Sequence, residues 1–330
     1  MSSLPPRSSL APSPSPSLPP YAPPTTVRHL SPTRILKTGP SVHPSEAALL
    51  QHIGDTTSVP VPRIHSCVRN PATGYWEIQM SRVDVHPEGG LEKGGKETEV
   101  HPLEAVYANL GPPARDALAR QLAGYVWQMR RCRADWIGSF DGGKARDRKF
   151  LSLVAGEEGE GERRRGLYGS EEEFLRDVAD AVRRRGAYRS AWSLMVGRML
   201  MDLPQQRRWL RICGEIEALL SSVSGGEGGR GYSGGCAYRE DKGKGKFVLT
   251  HADLTPEHIL VRYDWDEDTV EIVGIVGWGQ AGFYPEWYEY VKMNLWDPDS
   301  AFMEDRIPDR VLEPWLPELS AFLHAKDIVW

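Results

Sequence analysis

The 330-residue chain has few cysteines, no long hydrophobic run and no surplus of positive charge. No stretch of 18 or more apolar residues occurs, so no helix is expected to span a membrane. The net charge of −5 argues against a general nucleic-acid binder, because such domains present a strongly basic face. No secretory signal is evident, so reduced thiols and a cytoplasmic location are expected. The four cysteines are too scattered for a zinc motif: Cys67, Cys132, Cys213 and Cys236.

The N-terminal 26 residues are rich in proline and serine and poor in charge. This composition predicts a disordered tail, residues 1–26, with polyproline tendency. Linker behaviour is one interpretation of the tail, and a protein partner that recognises proline is the alternative. Glycine-rich, charged stretches at 88–99, 156–166 and 224–246 are expected to form mobile surface loops. The apolar fraction of 40% is enough for a sizeable core between them.

The most informative segment lies in the last third of the chain. Two apolar runs, 247–250 and 259–263, are typical of strands and flank a loop that carries His251 and Asp253. A third run, 270–276, is expected to pair with the second across an acidic turn. The pattern therefore predicts a β-hairpin that presents a histidine and a carboxylate.

This layout resembles the aminoglycoside phosphotransferase family, especially its fungal members. In that family the loop reads His-Gly-Asp and is followed by an Asn, and the later strand ends in an Asp before Trp. The resemblance implies that Asp253 is the catalytic base that orients and deprotonates an acceptor hydroxyl. It also implies that His251 braces the loop. His258 occupies the Asn position and Gly277 the Asp position, where the family holds magnesium on the nucleotide phosphates.

The residue types at those two positions are poor magnesium ligands. Magnesium requires oxygen ligands in tight octahedral geometry, whereas a glycine has no side-chain ligand and imidazole suits zinc, copper or nickel. The alternative is that Glu257, Asp264 and Asp266 replace the missing oxygen ligands of the metal ion. ATP and Mg²⁺ are therefore the cofactors that the resemblance implies, with weak magnesium binding in this chain.

Upstream segments extend the resemblance. Residues 34–39 resemble the strand that presents the nucleotide-binding lysine, Lys37, and residues 44–53 have the apolar spacing and Ser-led start of a helix. That helix carries Glu46, which the resemblance makes the partner of Lys37. Residues 27–36 contain no glycine, so we expect that a two-stranded glycine-rich flap cannot be built from them.

Other segments complete the predicted elements. Alternate prolines exclude a helix from 59–64, and 75–80 alternates like a strand. Helices are predicted by apolar spacing over 113–132, 171–185 and 206–222. Residues 137–143 and 169–174 resemble stretches of the fungal members.

Together these patterns predict an α+β, two-lobed, protein-kinase-like fold. A small, β-rich N-lobe would span 27–87, and a larger, mainly helical C-lobe with the catalytic hairpin inserted would span 88–330. The expected function is ATP-dependent phosphoryl transfer to the hydroxyl of an unidentified small molecule, weakened by His258 and Gly277. The alternative is a catalytically inactive pseudokinase that acts as a binding or regulatory module.

Overall fold

The computed structural model describes residues 25–83, 99–147, 166–180 and 245–329, together with residues 214 and 218. The predicted tail and the three glycine-rich stretches lie almost entirely outside the described residues. The predicted boundary between the lobes at 87 and 88 also lies outside them. Of the helix predicted over 206–222, only residues 214 and 218 are described, and both are helical.

The N-terminal region is an antiparallel four-stranded sheet with the order β1-β2-β4-β3. Its strands, in chain order, are β1 (Thr26–Ser31), β2 (Arg34–Gly39), β3 (Ile64–Arg69) and β4 (Trp76–Ser81). Strands β1 and β2 form a two-stranded hairpin that places Val27 opposite Lys37, and residues 27–36 contribute no glycine to it, so it is not a glycine-rich flap. The turn between them needs no glycine, since neither Pro32 nor Thr33 has a positive φ.

Helix α1 (Pro44–Thr56) follows β2 and packs beside the sheet. Its N-cap is His43, which accepts a hydrogen bond from the Ser45 backbone N–H, so Ser45 lies inside the first turn and does not lead the helix. A proline at the first helical position suits this start. The buried side chains of α1 include Leu49, Leu50 and Ile53, which anchor the helix in the main core.

The rest of the described chain is mainly helical. Its helices are α2 (Leu103–Val106), α3 (Pro112–Arg130), α4 (171–180), α5 (Tyr288–Asn294), α6 (Ala301–Glu304), α7 (Ile307–Val311) and α8 (Leu316–Val329). The longest, α3, buries Leu118, Leu122, Val126 and Met129 along one face, as its spacing predicts. In the described ranges no helix is both long and apolar enough to cross a membrane.

Two three-stranded sheets support the predicted catalytic loop. They have the orders β10-β7-β6 and β5-β8-β9. The strands are β5 (Val100–Pro102), β6 (Arg133–Ala134), β7 (Phe247–Thr250), β8 (Ile259–Asp264), β9 (Thr269–Ile275) and β10 (Gly282–Tyr284). The predicted antiparallel pairing of β8 with β9 is confirmed. The molecule is a mixed α+β fold in which a loop between β7 and β8 faces the end of β9.

Candidate functional site

A lysine and a glutamate form an ion pair between β2 and α1. The Lys37 Nζ and Glu46 Oε1 atoms lie 2.5 Å apart, and both side chains are largely buried. This is the pair that the sequence predicted. The second carboxylate oxygen of Glu46, Oε2, is buried and has no hydrogen-bond partner in the described part of the chain. Strand β2 fixes the lysine and the first turn of α1 fixes its partner.

The loop after β7 is braced by His251, whose side chain is completely buried. Its Nε2 lies 2.8 Å from the Val276 carbonyl oxygen and donates to it, while its Nδ1 accepts from the Asp253 backbone N–H. Burial and, next, the neighbouring His258 lower the pKa of His251 to about 3. The imidazole is therefore neutral, with its proton on Nε2.

The same loop is also held from helix α5. Ala252 has a left-handed backbone (φ 61°), at the position where the resembling loops have glycine. The buried Glu289 accepts hydrogen bonds from the backbone N–H groups of His251 (2.6 Å) and Ala252 (3.1 Å). Burial raises the pKa of Glu289 to about 7, opposed by these bonds and by Arg130. Sequence reasoning missed Glu289, although a charged residue among buried aromatic and aliphatic neighbours in α5 is a usable signal.

A short turn after β9 gathers the predicted site residues. Gly277 has φ 84° and precedes a 3₁₀ turn that ends at Gln280. A Cβ on Gly279 would lie 3.5 Å from Lys37 Nζ, so the turn contacts the ion pair. The Gln280 side-chain amide donates to Asp253 Oδ2 at 2.9 Å. One turn therefore brings the lysine pair and the predicted base together, and Gln280 is a further contact that the sequence did not reveal.

The ring of His258 fills the space beside Gly277. A Cβ on Gly277 would lie 2.6 Å from His258 Cδ2 and 2.7 Å from Cγ, closer than real Cβ contacts. The ring is held by its Nδ1, which lies 2.8 Å from the Asp253 carbonyl oxygen and 3.1 Å from Thr255 Oγ1. The residues at the two predicted metal positions therefore pack against each other.

A partly buried arginine, Arg146, interacts with Glu46. Desolvation lowers the pKa of Arg146, while the charges of Asp141 and Glu46 raise it. Among the residues that the structure describes, the buried Nε atom of Arg146 has no hydrogen-bond partner. Asp141 is held by Ser139 Oγ at 2.5 Å and lies 3.9 Å from His43. A second cation therefore interacts with the carboxylate that pairs with Lys37, which the sequence gave no reason to expect.

The model of the phosphotransferase enzyme family (APH) matches residues 32–310. The chain belongs to this family. The match covers strand β2 with Lys37, helix α1 with Glu46 and the loop with Asp253, so the phosphotransferase assignment applies to the whole site. It also supports the protein-kinase-like α+β fold and a phosphotransferase of the small-molecule kinase type. Among curated proteins, none matches this phosphotransferase.

Solved structures of other phosphotransferases are similar to this chain at low identity. A thermostable mutant of aminoglycoside phosphotransferase APH(4)-Ia, in a ternary complex with ADP and hygromycin B, shares 13% identity over 93% of this chain and 85% of its own (TM-score 0.46). The GDP complex of a mutant aminoglycoside 2'-phosphotransferase IIIa shares 14% over 92% and 78% (TM-score 0.46). Macrolide 2'-phosphotransferase MphH from Brachybacterium faecium shares 15% over 88% and 74% (TM-score 0.35).

The site residues of this phosphotransferase do not fit magnesium. Gly277 has no side-chain ligand atom. His258 offers a ring nitrogen, and its ring occupies the space that a side-chain ligand at 277 would need. The alternative ligands Asp264 and Asp266 lie in the turn at the opposite end of the β8–β9 hairpin from His258 and Gly277, about 17 Å along strand β8, so they are too distant to join those two positions. Glu257 is exposed, and its carboxylate accepts from a neighbouring hydroxyl. Across the described ranges, no group of three or more His, Cys, Asp or Glu residues could hold a metal ion.

Proposed function

We propose that this phosphotransferase binds ATP and transfers its terminal phosphoryl group slowly to the hydroxyl of a small molecule. The observation that carries the proposal is the turn from Gly277 to Gln280, which contacts both the Lys37–Glu46 pair and Asp253. In this proposal Lys37 Nζ binds phosphate oxygens, and Glu46 holds the lysine in place.

In the proposed phosphoryl transfer, Asp253 accepts the proton of the substrate hydroxyl. The acceptor hydroxyl oxygen forms a bond to the terminal phosphorus, the bond from that phosphorus to the bridging oxygen breaks, and ADP leaves. The hydroxyl proton moves to Asp253 Oδ1, because the Gln280 amide already donates to Oδ2. Gln280 is thus a positioning residue, and His251 and Glu289 keep the loop backbone in shape.

The proposed rate of phosphoryl transfer is low because His258 and Gly277 provide no side-chain oxygen for a metal ion. Losing one preorganised group that stabilises developing charge costs about 10²–10³ in rate. The effects of two such losses need not add, since the residues act as a unit. His258 and Gly277 therefore reduce turnover strongly without removing the groups proposed to bind nucleotide.

The second candidate is a catalytically inactive module that binds nucleotide and serves a regulatory role. The observation that favours it is the close packing of His258 against Gly277 and the Asp253 carbonyl. The His258 ring therefore occupies the space that a side-chain metal ligand at 277 would need. Both the slow phosphotransferase and the inactive module would bind nucleotide, so a measurement of ATP turnover distinguishes them.

The remaining features of the proposal concern the whole chain. We assign the N-lobe to 27–87 and the C-lobe to 88–330, and place the protein in the cytoplasm among the fungal-type members. The Pro/Ser-rich segment 1–26 is the proposed contact for a protein partner. Support comes from the composition and from the resembling stretches at 137–143 and 169–174.

The test uses thermal unfolding and ATP hydrolysis on the full chain. Saturating ATP should raise the free energy of unfolding by about 2.7 kcal/mol at a hundredfold excess over Kd. Lys37→Met should remove this stabilisation. Lys246→Met, an exposed lysine beside β7, is the matched control and should retain it. Absence of any stabilisation by ATP would contradict the proposal.

Turnover then decides between the two candidates. Asp253→Asn should bind ATP like the wild type and hydrolyse it at least about tenfold more slowly, because the proton acceptor is gone. Equal, background-level hydrolysis by the wild type and Asp253→Asn, with ATP bound to both, would establish the non-catalytic module.

A further inference from the structure

We propose that the nucleotide occupies this site as the metal-free anion, with no divalent ion bridging its phosphates to the protein. The inference rests on the proposed nucleotide binding and specifies the form in which the nucleotide is bound. It follows from the disagreement between the residues of the site and the magnesium that the resemblance implies.

The His258 ring blocks a side-chain ligand at position 277. Gly277 has a left-handed backbone, and any Cβ there would meet the His258 ring at 2.6 Å. The ring cannot easily move aside, because Nδ1 is held by the Asp253 carbonyl oxygen and by Thr255 Oγ1. No side-chain ligand can therefore enter at position 277 while His258 keeps its place. At the other metal position, residue 258, the imidazole offers ring nitrogens and no oxygen.

Glycine at 277 also changes the charge of the site. A carboxylate at 277 would repel the nucleotide phosphates unless a cation stood between them. Glycine removes that negative charge, so a metal-free polyphosphate meets no repulsion from this position. Each of the two remaining carboxylates is paired at one oxygen. Asp253 Oδ2 accepts from Gln280, and Glu46 Oε1 pairs with Lys37.

Two cationic side chains of the protein accompany the site. Lys37 Nζ lies beside the turn, 3.5 Å from the position of a Cβ on Gly279. Arg146 interacts electrostatically with Glu46, and its buried Nε has no hydrogen-bond partner among the described residues. Lys37 and Arg146 therefore provide positive charge for the nucleotide phosphates. The described part of the chain contains no group of three or more His, Cys, Asp or Glu residues that could hold a metal ion instead.

The experiment is isothermal titration of the full chain with ATP, once in EDTA and once in excess MgCl₂. The expected Kd in EDTA is equal to or lower than the Kd in MgCl₂. A Kd in MgCl₂ that is more than about threefold lower than in EDTA would overturn the inference. If ATP binds in neither condition, the proposed function itself fails, so the two failures are distinguishable.

Variants at the two metal positions sharpen the test. The double variant His258→Asn/Gly277→Asp should reverse the preference, with MgCl₂ lowering its Kd for ATP by about tenfold or more. Gly124→Ala on the exposed face of α3, where a Cβ meets nothing within 4 Å, is the glycine control and should retain the wild-type preference. A double variant that folds and still binds ATP better in EDTA would contradict the assignment of these two positions. If the double variant does not fold, the wild-type titration decides alone.

Discussion

Replacing Gly277 with alanine tests whether its packing against His258 is as tight as the geometry requires. The new methyl group would lie 2.6 Å from His258 Cδ2, where ordinary contacts begin near 3.4 Å. The backbone at this position is also left-handed, with φ 84°. Gly277→Ala should therefore lose stability through two separate physical effects.

The two effects have comparable size. A left-handed conformation costs a non-glycine residue about 1–2 kcal/mol. An overpacked methyl group costs about 1–3 kcal/mol more, because neighbours must shift or leave their rotamers. The expected loss is about 2–5 kcal/mol, a large part of the roughly 5–15 kcal/mol that stabilises a typical fold.

A double-mutant cycle measured by urea unfolding separates the two effects. In a His258→Ala background the ring is gone, so Gly277→Ala should cost only the backbone part, and the coupling energy should be about 1–3 kcal/mol. Gly279→Ala is the control and should change stability by less than about 1 kcal/mol, since its Cβ meets nothing closer than 3.5 Å. Additive losses within about 0.5 kcal/mol would refute the steric reasoning.

Three further predictions concern the core around the loop. Ala252→Gly should be nearly neutral in urea unfolding, because relief of the left-handed backbone offsets the lost methyl group, whereas Ala119→Gly in α3 should cost about 2 kcal/mol. Glu289 has a raised pKa, so the folded state binds the extra proton between pH about 4.5 and about 7. The stability of the wild type relative to Glu289→Gln should therefore fall as pH rises through that window, and a constant difference would contradict it. Lys292→Met leaves the carboxylate of Asp147 buried without its lysine and should lower the free energy of unfolding by about 3–5 kcal/mol in urea unfolding. The double variant Lys292→Met/Asp147→Leu removes both charges and should lower it by less.

Local patterns in the sequence predicted most of the elements that carry the site. Strands β7, β8 and β9 follow from runs of apolar residues, and α1 follows from its spacing. The Lys37–Glu46 pair was implied by the family resemblance, and its partners lie nine residues apart on one strand and the helix that follows it. The β1–β2 hairpin was not predicted, since the expectation concerned only a glycine-rich flap and an ordinary turn suffices.

Contacts between distant segments could not be predicted in the same way. Gln280 reaches Asp253 across 27 residues, and Glu289 reaches the loop backbone across 37 and 38. Arg146 interacts with Glu46 from a segment a hundred residues away. Nothing in the local composition around these three side chains indicates their partners, because tertiary packing alone determines them.

The relation between His258 and Gly277 shows why two departures from a motif should be examined together. As separate positions, each is a lost oxygen ligand. In the structure they are one packing unit, because the ring occupies the volume of any side chain at 277 and glycine alone accommodates it. An aspartate at 277 and the present His258 ring cannot fill that volume at once. Restoring a ligand at 277 alone would therefore add strain before it added an oxygen. Changing His258 alone would open the space but leave it without a carboxylate, so a metal ligand can return at 277 only when both positions change.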